Sequence, residues 1–100
     1  MNDQPPELGT VVLSKAGRDA GRYFVVVGQV DARYVLIADG DLRKLETPKK
    51  KKLKHLDTKP DILPAVREKL EKGIALLDAE LRKGLETSGY TARDKALDRE

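Results

Sequence analysis

The side chains in this sequence best suited to chemistry are cations. Lys15, Arg18, Arg22, Arg33, Arg43, Lys44, Lys49, Lys50, Lys51, Lys52 and Lys54 crowd one stretch of the chain. Guanidinium groups donate paired hydrogen bonds to phosphate oxygens, and each ammonium that meets a phosphate releases condensed counterions. A row of such groups is suited to a polyanion backbone. Taken alone, the run Lys49–Lys52 also fits a merely solvated segment. Gly17 and Gly21 flank Arg18 and bring the backbone of that turn within reach of a ligand, besides serving a tight turn that needs positive φ. Tyr23 and Tyr34 add ring faces on which a base can stack. Strand alternation sends Tyr23 and Phe24 to opposite faces, with Phe24 expected inside and Tyr23 or Tyr34 partly exposed near the loop. For each tyrosine, a place in the core is the competing reading.

Other chemistry has little to work with. The chain has no cysteine, which removes disulfides, thiolate nucleophiles and cysteine-containing zinc sites. His55 is the single histidine, stands among lysines, and lacks the partners that would make it a metal ligand or general base. Asp39 and Asp41 flank Gly40, a pattern that belongs to turns more than to cation binding. No enzyme, cofactor or metal is expected.

At 100 residues, with 39% hydrophobic and 37% charged side chains, the chain supports one small core and no large enclosed pocket. Its formal charge of +3 is unevenly spread. Residues 1–8 carry two acids and no base, residues 9–60 twelve bases and six acids, and residues 61–100 eight bases and nine acids. That concentration is the footprint expected of a polyanion-binding surface. The N-terminus has neither a basic nor an apolar targeting region, and no apolar run approaches membrane-spanning length, so a cytoplasmic protein is expected.

The elements that must position these cations are mostly strands. Pro5 and Pro6 make residues 1–7 a flexible leader. Val11–Leu13 and Tyr23–Val27 read as strands joined by a glycine-punctuated basic loop, with a bulge or bend at Gly28 and the strand resuming at Val30. Asp31–Arg33 connects to a strand over Tyr34–Ala38, and the Asp39–Asp41 turn leads to a fourth over Leu42–Leu45. Lys49–Leu56 reads as a terminal edge strand, where lysine also discourages strand addition. Four short strands and tight turns fit a small, strongly bent barrel. Beyond them, Ile62, Val66, Leu70, Ile74, Leu77, Leu81 and Leu85 recur at helical spacing. Asp61 is an expected N-cap with Pro64 in the first turn, Gly73 an expected C-cap, and Asp78 a cap for a second helix reaching about Glu86. One helix or two remains open, with two short helices favoured. Their apolar face is expected to cover the barrel or to dock a protein partner. Residues 88–100 have few apolar side chains and read as a disordered tail.

The stretch from Gly9 to Val27, a hydrophobic strand, a loop with Gly17 followed by Arg18, and a second valine-rich strand, resembles the KOW motif. More closely, residues 9–56 are similar to the KOW barrels of large-subunit ribosomal proteins of the eukaryotic and archaeal type, and to related bacterial RNA-binding proteins. Gly17 matches the glycine of that motif, and Lys15, Arg18 and Arg22 match basic positions flanking its loop. The helical C-terminus departs from the motif.

The resemblance implies a mainly β fold: an SH3-like five-stranded barrel over residues 8–57, whose loops meet RNA without a cofactor. One or two short helices would follow over residues 61–87. The expected function is RNA binding, with ribosomal RNA of the large subunit as the partner, in translation and within a ribonucleoprotein. The RNA-binding set is Lys15, Gly17, Arg18, Gly21, Arg22, Tyr23, Arg33, Tyr34, Arg43, Lys44, Lys49, Lys50, Lys51, Lys52 and Lys54. A ribosomal protein contact through the helices is a further expected partner, with no membrane and a monomer when free. The rival expectation is a protein-interaction barrel that docks on a transcription or ribosome component.

Overall fold

The computed structural model describes residues 5–90. Five strands, β1 (Thr10–Ser14), β2 (Tyr23–Gln29), β3 (Tyr34–Ala38), β4 (Lys49–Lys52) and β5 (Leu56–Ile62), are followed by helices α1 (Pro64–Lys72) and α2 (Asp78–Thr87). All strand pairs are antiparallel, in one sheet ordered β4-β3-β2-β1-β5. The two ends of that order, β4 and β5, are joined in sequence by a single 3₁₀ turn, Leu53–His55.

Both faces of the sheet are apolar, which is why its central strands read as near-continuous valine runs. On the inner face Val12, Phe24, Val26, Val35, Ile37 and Leu56 form one buried cluster, with Leu8 and Leu53 packed at its margin. Phe24 is inside, as alternation requires, and is fully buried. Side chains of this size contribute roughly 1.5–3 kcal/mol each when removed from water. On the outer face Val11, Val25 and Ala38 meet Leu63, Val66, Leu81 and Leu85, so the helices cover one part of the sheet's outside.

Two irregularities bend the ladder. Val26 pairs with Ile37 but Gly28 with Leu36, so Val27 is an extra residue on β2, at the bulge expected beside Gly28. Thr10 pairs with Ile62 but Val12 with Thr58, so β5 carries surplus residues around Pro60. Proline has no N–H to give a ladder and is tolerated at such a bulge on an edge strand.

Several expectations need correction. The β region runs to Ile62, past the boundary at residue 57. Leu42–Leu45 is not a strand: Asp39 Oδ1 accepts from the N–H groups of Asp41 (3.0 Å) and Arg43 (2.9 Å), and the N–H groups of Asp39 and Gly40 donate to the Arg43 carbonyl. An aspartate at the head of the segment thus supplies local acceptors that outcompete a ladder. The strand β2 ends at Gln29, leaving Val30 exposed. Asp61 lies in β5 and accepts from the Tyr90 hydroxyl at 2.6 Å, while Leu63 occupies the N-cap position ahead of Pro64. The apolar stripe is cut where Gly73 adopts the left-handed conformation and ends α1, so Ile74 and Leu77 are exposed rather than on a continuous helical face. Asp78 is the first residue of α2, after an N-cap at Leu77. Residues 5–7 have no regular structure but are tethered: Gln29 donates to the Pro6 carbonyl, and Glu7 pairs with Arg67 at 2.7 Å. Residues 1–4 of the leader and 91–100 of the tail lie outside the described residues.

Candidate nucleic-acid interface

Alternation along β4 sorts the four lysines. Lys49 and Lys51 pair with Ile37 and Val35 and share the inner face, whereas Lys50 and Lys52 pair with Leu36 and Tyr34 and share the outer one. Four side-by-side phosphate contacts are therefore replaced by two pairs with different surroundings.

The inner pair is committed to the protein. Lys51 is 8% exposed and donates to the Ala16 carbonyl at 2.9 Å, holding the edge strand under the β1–β2 loop. Burial, followed by repulsion from Lys49 and Arg43, lowers its pKa. Lys49 lies 4.0 Å from the Asp19 carboxylate. Arg43 reaches the same oxygen at 3.3 Å, and Arg22 meets Asp39 at 3.0 Å and Asp41 at 3.4 Å. Asp19 and Asp39 are both buried. They are the functional neighbours that reading the chain for cations missed, although Asp19 between Arg18 and Arg22 was a visible signal: an acid inside a basic loop is placed to hold it. The pairing is incomplete, since Asp19 Oδ1 and Arg22 Nε have no hydrogen-bond partner among the described residues.

The β1–β2 loop is built by its backbone. Gly21 donates to the Ser14 carbonyl and Arg22 to that of Asp19, closing a turn in which Gly17 (φ 82°) and Gly21 (φ 90°) are left-handed. Gly21 is buried, so its N–H serves the turn; Gly17 lies at the surface above Lys51. Lys15 and Arg18 are exposed on this loop, and the Lys15 N–H binds the His55 carbonyl at 2.8 Å, which brings the loop beside the 3₁₀ turn carrying Lys54.

The outer pair is open. Lys50 and Lys52 place their ammonium groups 4.8 and 5.8 Å from the centre of the Tyr34 ring. Arg33 is next to them, because Leu53 donates to its carbonyl, and Ala32, Arg33, Lys52, Leu53 and Lys54 line one shallow depression. The nearby Asp31 carboxylate accepts from the N–H groups of Arg33 (2.8 Å) and Tyr34 (2.9 Å). The Arg33 N–H is the largest cause of its lowered pKa, with help from Tyr34 and the Lys50 and Arg33 charges. Tyr23 takes a different place: it packs on the helix side, its ring 4.8 Å from that of Tyr90.

None of Lys15, Arg18, Arg33, Lys44, Lys50, Lys52 or Lys54 is in an ion pair among the described residues. Among those residues no cluster of three histidine or acidic side chains is arranged to hold a metal, and no helix is long and apolar enough to cross a membrane. No protein-family model matches this chain.

Proposed function

We propose that this chain is a non-enzymatic RNA-binding module of KOW type, which grips the phosphate backbone with the open cations of its β1–β2 loop, β4 and the following turn. The carrying observation is the division of labour among the cations: buried aspartates take Arg22 and Arg43, while Lys15, Arg18, Arg33, Lys50, Lys52 and Lys54 are in no ion pair among the described residues. Arginines held in this way keep a loop in shape, and unpaired ones retain their affinity for phosphate. A closed, SH3-like barrel is part of the proposal. It is supported by Lys51 and Lys49 of the edge strand reaching Ala16 and Asp19 in the β1–β2 loop, which draws the sheet toward itself. Ribosomal RNA of the large subunit, in the cytoplasm, is the polyanion that the resemblance of residues 9–56 favours.

The test is filter binding of structured RNA by the full chain across a salt series. Wild-type affinity should fall steeply as salt rises, with a log–log slope set by the number of phosphates neutralised. Replacing Lys15, Arg18, Lys50, Lys52 and Lys54 by alanine should flatten that slope and weaken binding by at least about tenfold, with thermal stability unchanged. Equal affinity in wild type and variant overturns the proposal. A second reading, docking on a protein, is favoured by Ile74 and Leu77, 51% and 65% exposed beside α2. A complex formed by that surface should barely respond to the same salt series.

A further inference from the structure

We infer that Tyr34, Lys50 and Lys52 form a platform for unpaired nucleotides, so that the preferred ligand on the outer face is single-stranded RNA. This rests on the RNA-binding reading and specifies which form of RNA that face takes.

The helices cover the outer face over Val11, Val25 and Ala38. The part that carries Tyr34, Lys50 and Lys52 is not in that cluster, and its aromatic ring is half-buried with two ammonium groups over it. A ring surface that lysine tips can reach from the solvent side is also one that a flat base can reach. Lys52 stands directly across from Tyr34 and Lys50 two residues further along the same strand, roughly 6.6 Å away, so both ammonium groups reach over the ring from the neighbouring strand. A base resting on the ring would bring its backbone phosphates beside that strand, where the ammonium groups displaced from the ring could meet them. Arg33 and Lys54 extend the cationic border beyond Lys52 around the depression they share.

The local chemistry favours this use over simple charge. The Asp31 carboxylate accepts from two backbone N–H groups through Oδ1 and is in no ion pair with Lys50 or Arg33. Aromatic stacking bordered by cations is the recurrent solution for single strands, because every base has a π-face. A duplex keeps its bases stacked on one another and can use the lysines but not the ring.

The experiment measures binding of the full chain to a fluorescent oligouridylate and to an RNA duplex of equal length at one fixed salt concentration. Tyr34→Leu should lose about tenfold in affinity for the single strand and change less than about twofold for the duplex, while Tyr34→Phe retains both. Lys50→Gln with Lys52→Gln should weaken both ligands. Equal losses on strand and duplex in Tyr34→Leu would mean that the ring only orders the lysines, and would overturn the inference, as would no loss on either. If wild type binds the duplex and the platform variants are silent, only this inference fails. If wild type binds neither RNA at low salt, as a protein-docking face would behave, the RNA-binding reading fails with it.

Discussion

Arg22 and Asp39 sit on different loops, and the guanidinium donates to a carboxylate that is only 1% exposed, at 3.0 Å. The same carboxylate accepts from the backbone N–H groups of Asp41 and Arg43, so one side chain shapes its own loop and fastens the neighbouring one. Removing it leaves a largely buried arginine with only the longer 3.4 Å contact to the exposed Asp41, and strands two backbone donors. Asp39→Ala should lower unfolding stability by about 3 kcal/mol, and Asp39→Asn, which keeps an amide oxygen for the backbone donors, by roughly half of that. Urea unfolding followed by circular dichroism measures both, and a loss below about 1 kcal/mol in Asp39→Ala would show that the pair contributes little.

Gly40 separates a steric effect from a conformational one. Its φ is 79°, and a Cβ there would stand against the Asp78 backbone carbonyl, which cannot move without moving α2. Gly73 has a similar φ of 70° with nothing within 4 Å. Gly73→Ala should therefore cost about 1 kcal/mol, the strain of a left-handed residue. Gly40→Ala adds a backbone clash and should cost more than about 3 kcal/mol. Thermal melts of the two variants side by side check the order.

The four lysines of β4 should respond as two pairs. Lys50→Gln and Lys52→Gln are surface changes and should shift stability by no more than about 0.5 kcal/mol. Lys51→Ala removes a buried stem and the donor to Ala16, and should cost about 1–2 kcal/mol. Equal melting temperatures for all three would contradict the sorting by face.

Tyr90 makes stability fall at high pH. Its hydroxyl donates to Asp61, and that bond, with burial and the Asp61 charge, pushes the phenol up to about 12. In the unfolded chain the phenol titrates near its ordinary value of about 10. The folded state thus holds a proton that the unfolded state releases, so the contribution is complete below about pH 10 and is lost as pH rises toward 12. The phenolate absorbance should show the Tyr90 phenol titrating late, and that late step should vanish in Tyr90→Phe. Tyr90→Phe, which keeps the ring on Tyr23, should lose about 1 kcal/mol near neutral pH and show a weaker alkaline decline.

The strands around Val12, Phe24 and Ile37 were legible in the sequence because buried β-branched runs bounded by glycine have few other uses. Two short helices were legible from Gly73. The strand β5 was not, since Leu56–Ile62 contains a proline and only two large apolar residues, and it is held by an edge pairing with β1 that only the tertiary arrangement supplies. The cations were easy to find and hard to sort. Charge alone does not distinguish Arg43, bound to Asp19, from Arg33, which is in no ion pair among the described residues; the aspartates that make the difference come from loops distant in the chain. For the lysine run, a period of two along β4 was the missing step.

The contact between Gly40 and α2 reaches further than one loop. Arg82 donates to the Gly40 carbonyl and Asp78 accepts from Leu45, so the final helix grips the segment from which Asp39 reaches Arg22. The C-terminal helices are thereby not a detachable lid on an independent sheet: a chain cut before Asp78 would release the Asp39–Leu45 segment that holds Arg22, and the damage would surface in the basic loop, more than fifty residues earlier in the chain.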